Sequence, residues 1–499
     1  MNIIDKDLLS IQESRILAEN AREAQKILAA FSQEKLDVIV ERMAEEIEKH
    51  AGELAKMSCE ETDYGIWQDK YIKNKFVCEY LRTGLRGMRC VGIIKEDLQN
   101  RTMDVGVPKG VIIALCPATS PVSTTIYKAL IAIKSGNAII FSPHPRAKET
   151  ICKALDMMIE TAEAYGLPEG ALAYLHTVTQ SGTVELMNHQ ATSLIMNTGV
   201  PGMLKAAYHS GKPVIYGGNG NGPAFIERTA DIRQAVSDII ASKTFDNGIV
   251  SAAEQSIVVD SCIADEVKRE LQIRGAYFMT EEESQKLGSL LFRSDGSADS
   301  EMVGKSAREL AKRAGFYVPE NVVLLISEQK YVFEKNPYSK EKLCPVLAYY
   351  IEDDWMHACE KCIELLLSER NGHTLVIHSN DEEVIRQFIL KKPVGRVLVN
   401  TPATFGSMGA TTNLFPAMTL GSGSAGEGIT SDNVSPMNLI YIRKVGYGVR
   451  KPEEITNKGL AGETSDACEP VMPEEYNQEN IQMLQRILQS VIQELKTSD

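Results

Sequence analysis

The sequence has 499 residues, enough for about three domain-sized units, and its 43% hydrophobic and 24% charged residues are ordinary for a soluble globular protein. A net charge of −14 argues against a nucleic-acid partner, because a phosphate backbone would be repelled. No apolar run reaches the ~18 residues of a membrane span, and the charged N-terminus does not resemble a secretory signal. We therefore expect a cytoplasmic protein with no membrane partner.

The cysteines point to reduced thiols. The ten of them form no cluster with histidine at metal-ligand spacing. The one Cys-x-x-Cys pair, Cys359 and Cys362, falls within a helical pattern and has no second pair to complete a zinc site. We expect mostly buried, reduced cysteines and no metal.

The first part of the chain predicts a helical layer followed by a hairpin. Residues 7–60 are rich in Glu and Lys and carry an apolar stripe at helical spacing, made of Leu36, Val40, Met43, Ile47 and Leu54. From about residue 89 to residue 107 the pattern changes to alternating apolar and polar residues. This alternation predicts a β-hairpin that projects from the body.

A strand-then-helix alternation follows, which predicts an α/β fold with a doubly wound, mostly parallel sheet. We assign residues 1–229 to this domain and expect it to bind a nucleotide, because nucleotides bind at the carboxyl ends of such strands. The predicted strands are 111–115, 138–141, 172–175, 193–196 and 213–216, and the predicted helices are 124–135, 147–165, 183–189 and 202–210.

The same rhythm restarts after residue 229 and predicts a second α/β domain over residues 230–423. Region 424–450 contains an exposed alternating strand, 439–445, that needs a partner. Residues 451–479 read as a Pro- and Glu-rich linker, and residues 480–499 as an amphipathic helix. The strands predicted for the second domain are 256–259, 322–326, 346–350, 374–377 and 396–399, and its helices are 232–244, 264–273, 280–290, 304–314 and 355–369.

One small, polar, glycine-bearing segment, residues 245–255, comes directly before an apolar run that predicts a buried strand. Ser251 would then lie on a short connection that enters the core. The motifs of several other enzyme classes are absent, namely GxxxxGK[ST], HExxH, GxSxG, and GxGxxG in its usual place after the first strand.

Residues 245–255 resemble, nearly residue for residue, the nucleophile segment of CoA-acylating aldehyde dehydrogenases, with Ser251 where that family has cysteine. The resemblance covers about residues 10–445. It implies the aldehyde dehydrogenase fold, with a dinucleotide-binding domain, a catalytic domain and a small β oligomerisation hairpin, and it implies a homodimer or a dimer of dimers. Further segments that match the family in order are 117–121, 141–148, 197–203, 341–345, 400–402 and 419–421.

The resemblance implies three groups of site residues. The catalytic group would be Ser251, Thr119, Asn247 and Ser120, the last standing where the family has asparagine. The substrate pocket would contain Thr401, Pro402 and Leu420. The residues that would bind the dinucleotide are Ser142, His144, Arg146, Thr198, Gly199, Pro201, Gly202, Gly218 and Glu341. Gly202 would open a helix whose free N–H groups can receive an anion.

The resemblance also implies a reaction. In the family a thiolate attacks the aldehyde, hydride passes to NAD, and a thioester remains on the enzyme. Hydrolytic relatives carry a glutamate in a Glu-Leu-Gly-Gly stretch, but the matching residues here, 215–218, contain no carboxylate. Without a base for water the thioester should wait for CoA, which makes acyl-CoA the expected product. The oxyanion hole would use the backbone N–H of Ser251 and the side chain of Thr119 or Ser120.

Ser251 puts turnover in question, because a serine hydroxyl is barely ionised near neutral pH and no adjacent base is visible in the sequence. Two explanations stay open. One is an engineered Cys-to-Ser replacement made to trap a bound state, which the intact surroundings favour. The other is a natural, inactive or repurposed homologue. A function of another class also stays open, that of a catalytically silent homologue acting as a binding or scaffold protein.

The resemblance favours acetaldehyde as the substrate, with propionaldehyde and sulfoacetaldehyde as alternatives. NAD is the expected cofactor, but His144 stands where many NAD-preferring relatives have glutamate, so NADP stays open. The tail over 480–499 resembles the encapsulation peptides that direct such enzymes into bacterial microcompartments, which would make a shell protein its partner. The alternative is that its apolar stripe folds back onto its own subunit.

Overall fold

The computed structural model describes residues 5–218, 220–368 and 373–455, together with residues 482, 485 and 486. The helices of this part of the chain are α1 (Lys6–Leu28), α2 (Gln33–Lys49), α3 (Ala51–Thr62), α4 (Trp67–Phe76), α5 (Arg82–Leu85), α6 (Pro121–Lys134), α7 (Lys148–Ala164), α8 (Gln180–Asn188), α9 (Leu204–His209), α10 (Ile232–Thr244), α11 (Ala264–Ile273), α12 (Glu281–Leu291), α13 (Ala307–Arg313), α14 (Trp355–Ser368), α15 (Glu382–Leu390) and α16 (Ala403–Ser407). The strands are β1 (Gly92–Asp97), β2 (Thr102–Pro108), β3 (Val111–Leu115), β4 (Ile139–Ser142), β5 (Leu172–Tyr174), β6 (Thr192–Asn197), β7 (Val214–Tyr216), β8 (Pro223–Ile226), β9 (Ser256–Asp260), β10 (Ala276–Phe278), β11 (Leu324–Glu328), β12 (Val346–Glu352), β13 (Thr374–His378), β14 (Arg396–Val399) and β15 (Ile440–Gly446).

The amino-terminal helices begin at side-chain caps and bury the expected apolar stripe. Asp5 caps α1 and Ser32 caps α2, each accepting backbone N–H bonds from the first turn. The stripe residues Leu36, Met43 and Ile47 are completely buried. Helix α2 packs against α6 and α7, and α1 packs against α8. The layer therefore covers the helices of the first sheet and leaves its charged face in solvent.

A five-stranded parallel sheet has the order β5-β4-β3-β6-β7. Its central strands are buried on both faces, as parallel strands covered by crossover helices are. The direction of chain progression reverses between β3 and β6, so the loops after these two strands diverge at the carboxyl edge and leave a crevice. The predicted doubly wound sheet is confirmed, and its switch point lies between β3 and β6.

A second parallel sheet has seven strands in the order β10-β11-β12-β9-β8-β13-β14. The sequence does not predict two of these strands, β8 and β10, which directly follow Gly222 and Gly275. Strand β8 lies before residue 230 yet pairs with β9 and β13. The second sheet therefore begins inside the region that the sequence assigned to the first domain.

A third, antiparallel sheet has the order β1-β2-β15. The predicted hairpin is confirmed as β1 and β2, which pair antiparallel from Gly92 opposite Gly106. The alternating segments 101–107 and 439–445 each predict a strand with an unpaired edge on a monomer. For 101–107 this is wrong, because β2 lies between β1 and β15 of the same chain. Lys444 Nζ lies 2.8 Å from Asp104 Oδ1 and ties the two strands together.

Residues 1–445 form one unit and residues from 446 onward a second. Residues 452–455 are helical and exposed. The predicted linker beyond residue 455 and the predicted tail helix lie outside the described residues, apart from Gln482, Gln485 and Arg486, which are helical and exposed. Within the described part of the chain, no helix combines the length and apolar character that crossing a bilayer requires.

Candidate active site

A cavity of about 240 Å³ lies at the switch point of the five-stranded sheet. The loop after β3 contributes Thr119 and Ser120, and the loop after β6 contributes Thr198 and Gly199. Ser251 lines the same cavity, so the predicted nucleotide edge and the predicted nucleophile position meet. The other lining residues are Pro117, Thr124, Pro201, Gly217, Gly218, Ile249, Val250, Phe292, Gly296, Ser297, Ala298, Glu341, Leu343, Met408, Ala417, Met418 and Leu420.

The chain reaches Ser251 through a strained turn. Asp246 and Asn247 have φ angles of 51° and 53°, in the left-handed region that residues other than glycine rarely adopt. Each such conformation costs roughly 1–3 kcal/mol and persists only where the surroundings hold it. Strand β9 follows and is buried throughout, which confirms the strand predicted after Ser251.

The Asp246 carboxylate holds this turn. It accepts a hydrogen bond from the backbone N–H of Ile66 at 2.6 Å and from the ammonium groups of Lys70, at 3.1 Å, and Lys73. Gly65 permits the approach, since a Cβ there would lie 1.9 Å from Asp246 Oδ1. Burial raises the pKa of Asp246, but Lys73 and Lys70 outweigh burial and leave the pKa below its ordinary value. Asp246 is therefore an anion at neutral pH.

The two lysines also bind the loop after β3. Lys70 Nζ donates to the Thr119 carbonyl at 2.9 Å, and Lys73 Nζ donates to Ser120 Oγ at 2.6 Å. Their side chains are 3% and 1% exposed. Burial lowers the pKa of Lys73 to about 8, against the attraction of Asp246. One ionic cluster thus holds both the loop after β3 and the turn that leads to Ser251.

Gly220 lets a second backbone segment approach Ser251. A Cβ on Gly220 would lie 1.6 Å from the Ser251 carbonyl oxygen and 3.1 Å from His373 Nε2. The Gly220 N–H donates to Glu341 Oε1 at 2.9 Å. Glu341 is the one carboxylate among the described lining residues. Among the described residues, no histidine or carboxylate is hydrogen-bonded to the Ser251 hydroxyl. The arrangement brings a serine into the cavity with the buried His373 imidazole near its backbone carbonyl and with no described base on its hydroxyl.

Five of the nine residues predicted to bind the dinucleotide line the cavity, and they are Thr198, Gly199, Pro201, Gly218 and Glu341. Ser142, His144, Arg146 and Gly202 lie outside the lining. The His144 ring accepts the Arg146 N–H at 3.1 Å, and the Arg146 guanidinium lies 4.9 Å from the centre of the Tyr64 ring. Burial lowers the pKa of His144, so its ring is neutral at neutral pH.

The residues predicted for the substrate pocket and Asn247 also include some that line the cavity and some that do not. Leu420 lines the cavity, whereas Thr401 and Pro402 do not. Thr401 pairs with another threonine hydroxyl 2.6 Å away, and Pro402 precedes α16. Asn247 Nδ2 donates to the Gly304 carbonyl at 2.9 Å, which places it as a brace of the turn, outside the lining.

Cys116 and Cys344 do not supply a replacement thiol. Both are buried and neither lines the cavity. Burial raises the pKa of Cys116 and raises that of Cys344 to about 11, so both stay protonated at neutral pH. The described cysteines are all free, and Cys359 and Cys362 lie buried in α14. Among the described residues, no group of three potential ligands could hold a metal ion.

Sequence reasoning missed several parts of the site. The residues of the loop after α12, Phe292 and Gly296 to Ala298, come from a segment without recognisable motifs. Lys70 and Lys73 lie on α4 in a run of charged residues that is typical of a solvated helix face. No short-range signal connects Lys73 with Asp246, which follows it by 173 residues.

The residues at the switch point fit a dinucleotide. Gly199 has a φ of 63° and lines the cavity with its backbone. A Cβ added at Gly202 would meet nothing within 4 Å, so the backbone there is open to a ligand. Asn197 braces the intervening loop, because its side chain bonds both the N–H and the carbonyl of Val200. A pyrophosphate could therefore approach the backbone between residues 199 and 203.

The model of the family described as "Aldehyde dehydrogenase family" matches residues 10–412. The bifunctional aldehyde-alcohol dehydrogenase AdhE of Escherichia coli K12 is 39% identical over 441 residues, which are 87% of this chain and 49% of that protein. The chain thus spans about half the length of that relative. The acetylating succinate-semialdehyde dehydrogenase of Clostridium kluyveri is 35% identical over 440 residues, covering 88% of this chain and 96% of that protein.

Solved structures agree with this match. A probable aldehyde dehydrogenase from Listeria monocytogenes EGD-e has a TM-score of 0.89 and 48% identity, covering 91% of this chain and 100% of that one. An acetylating aldehyde dehydrogenase from Geobacillus thermoglucosidasius has a TM-score of 0.87 and 44% identity, covering 90% and 99%. A propionaldehyde dehydrogenase from a fucose-utilisation microcompartment of Clostridium phytofermentans has a TM-score of 0.78 and 30% identity, covering 86% and 96%. The chain belongs to the aldehyde dehydrogenase family.

Proposed function

We propose that this chain is a CoA-acylating aldehyde dehydrogenase, in which a short-chain aldehyde, CoA and a nicotinamide dinucleotide meet at residue 251. The observation that supports the proposal is that the loops at the switch point of the first sheet and the segment with Ser251 line one cavity. Relatives named as acetylating support the CoA-dependent branch of the family. Acetaldehyde is the substrate we favour, with propionaldehyde and sulfoacetaldehyde as alternatives.

The lining residues support transfer to a thiol over hydrolysis. Gly217 and Gly218 carry no carboxylate, and Glu341 already accepts the Gly220 N–H. Among the described lining residues, Glu341 is the one candidate base for water and it is engaged by Gly220, so we expect the thiol of CoA to displace an acyl group on residue 251. NAD, when bound, would accept the hydride of the aldehyde. The backbone N–H of residue 251 and the Ser120 hydroxyl would bind the oxyanion.

Ser251 limits this chemistry. A serine hydroxyl is a far weaker nucleophile than a thiolate, and no described base is hydrogen-bonded to the Ser251 hydroxyl. We propose that the chain with Ser251 binds its ligands but turns over at most slowly. The absence of a base at Ser251 also favours the second candidate function, a silent homologue that acts as a binding or scaffold protein.

The proposal is tested by Ser251→Cys. We expect NAD reduction that requires both CoA and an aldehyde, at a rate higher by orders of magnitude than that of the Ser251 form, because an activated nucleophile is restored. The rate of reduction with NADP in the same assay tests the cofactor preference. Ser297→Cys is the matched control, since it places a thiol in the same cavity at another position.

The outcomes separate the candidate functions. Binding of NAD and CoA without turnover by Ser251→Cys would favour the silent homologue. Fast turnover by the unmodified chain would contradict the assignment of residue 251 as the nucleophile position. Equal gains from Ser251→Cys and Ser297→Cys would show that the position of the thiol does not matter, which the proposal excludes.

A further inference from the structure

Ser120 carries a proton without an acceptor in its surroundings. Its Oγ accepts the ammonium hydrogen bond of Lys73 at 2.6 Å, so its own O–H must be directed elsewhere. Among the described residues, no acceptor is hydrogen-bonded to that O–H. Ser120 is only partly buried and lines the cavity together with Ser251. Ser120 also lines a small cavity beside Lys70 and Lys73, but the space in which a reacting carbonyl would lie is within reach of its O–H.

We propose that Lys73 is a positioning residue for the oxyanion: its buried ammonium group fixes Ser120 so that the Ser120 hydroxyl donates to the oxygen of the tetrahedral adduct on residue 251. This inference rests on the proposed function and assigns a role to a residue that lies outside the cavity lining. No proton changes place, because Ser120 keeps its hydrogen and Lys73 keeps its charge. Lys73 acts through Ser120 and does not touch the substrate.

Ser120 needs a partner that orients its hydroxyl because serine stands at this position. Residues 117–121 resemble a family motif that has asparagine at position 120. The planar amide of asparagine is a fixed donor, whereas a serine hydroxyl rotates freely. An ammonium bond to the oxygen removes that freedom and makes the O–H a stronger donor. Preorganised donors are effective because they need no reorganisation when the negative charge develops.

The charges around Lys73 explain why an ammonium group is tolerated there. Lys70 and Asp69 face it from its own helix, Asp246 faces it from the turn before Ser251, and Cys59 faces it from α3. Asp69 accepts the backbone N–H of Asp246 at 2.7 Å. Two ammonium groups are thus opposed by two carboxylates, which offsets the cost of removing the lysines from water.

The cluster also predicts a pH dependence. Lys73 is charged below its pKa of about 8 and neutral above it. Loss of the charge weakens the bond that orients Ser120, so the contribution of Ser120 falls as the pH rises through about 8. Cys59 stays protonated in this range, because burial raises its pKa to about 11. Ser120→Ala should remove this alkaline decline, whereas a purely structural role of Lys73 would leave the decline in place.

The test uses Ser251→Cys as the parent and trifluoroacetone as the probe. This activated ketone adds reversibly to a thiol and gives an ionised adduct, which fluorine NMR detects without any cofactor. We expect Ser120→Ala and Lys73→Met each to weaken adduct formation at pH 7 by about ten- to a hundredfold. This is less than the loss of about a hundred- to a thousandfold in kcat that follows removal of one oxyanion donor. The double variant should be no weaker than either single variant, since both remove the same interaction.

Controls separate positioning from folding. Ser120→Ala leaves the Lys73–Asp246 pair intact, so it tests the inference even where Lys73→Met fails to fold. Lys134→Met removes another buried lysine that pairs with Asp37, away from the cavity. It should lower the melting temperature and leave adduct affinity unchanged.

Three results would overturn the inference: an adduct affinity that Ser120→Ala does not change, losses that add in the double variant, or no adduct with the parent. The proposed function fails separately, if the parent forms the adduct normally but does not reduce NAD in the presence of CoA and aldehyde.

Discussion

At the residue scale, Gly220 sets how closely two backbone segments approach at residue 251. A Cβ at this position would lie 1.6 Å from the Ser251 carbonyl oxygen, far inside any allowed contact. Because the two nearest atoms, the Ser251 carbonyl oxygen and carbon at 1.6 and 2.5 Å, belong to the backbone, no side chain can move aside to relieve the overlap. The glycine is therefore required by space and not by an unusual φ angle.

Gly220→Ala, made in the Ser251→Cys protein, should lower kcat by at least about tenfold, since a displacement of about 1 Å at a reacting atom has large effects. The backbone shift should also cost about 1–3 kcal/mol in the free energy of unfolding, the usual range for overpacking. Denaturant unfolding and steady-state rates measure the two effects. Gly52→Ala is the control, because Gly52 lies in α3 with its nearest neighbour atom 3.8 Å from an added Cβ. Rates in Gly220→Ala equal to those of its Ser251→Cys parent would contradict the close approach.

At the residue level, the sequence identified candidate site residues where a motif is local, and their roles stay predictions. Ser251, Thr198 and Gly218 were identified from short segments, and the structure brings them to one cavity. Lys73 was missed, because its contact with Asp246, 173 residues away, and its burial are not visible in the sequence of its own helix. A charged residue in a charged helix usually lies in solvent.

At the scale of elements, strand prediction depended on length and burial. Strands such as β3 and β9 are uniformly buried and apolar, which makes them visible as short hydrophobic runs. Strand β8 has four residues and follows a glycine-rich turn. Its pairing with β9 and β13 depends on tertiary structure and is not visible in the local sequence. The partner of β15 was likewise unpredictable, because β2 precedes it by more than three hundred residues.

Strand β15 motivates a proposal about assembly. It forms one margin of the three-stranded sheet, and its Tyr441 and Ile442 side chains are 48% and 42% exposed. An open edge with exposed apolar residues favours pairing with another chain. We propose a homodimer or a dimer of dimers that uses this margin. Sedimentation velocity at micromolar concentration should give a dimer or a tetramer.

Tyr441→Glu combined with Ile442→Lys should shift the sedimentation distribution towards the monomer, since charge opposes edge pairing. Leu390→Glu is the control, because Leu390 is 81% exposed on α15, away from this sheet, and its replacement should leave the mass unchanged. A monomer in the unmodified protein would contradict the proposal.

At the scale of the whole molecule, the predicted tail, residues 480–499, has no role in the proposed reaction. Its apolar stripe consists of Ile481, Leu484, Ile487, Leu488, Val491, Ile492 and Leu495. We propose that residues 480–499 dock on a microcompartment shell protein as a helix in a groove. Retaining a reactive, volatile aldehyde near the enzyme would be the chemical benefit.

Fusion of residues 470–499 to a fluorescent protein tests this proposal in cells that make shells. Punctate fluorescence is expected, and Leu484→Glu combined with Leu488→Glu should make it diffuse, because the apolar stripe is lost. Gln485→Glu combined with Gln489→Glu is the matched control, since it adds the same charge outside the stripe. Diffuse fluorescence from the unmodified fusion would rule out shell docking by this segment.

Intact-protein mass spectrometry after incubation with acetyl-CoA tests whether residue 251 carries the acyl group. The Ser251→Cys protein should gain the mass of one acetyl group, located by digestion on the peptide that contains residue 251, and the Ser251 form should gain none. Acetylation of Ser251→Cys on a peptide other than the one containing residue 251, or equal acetylation of both proteins, would contradict the account.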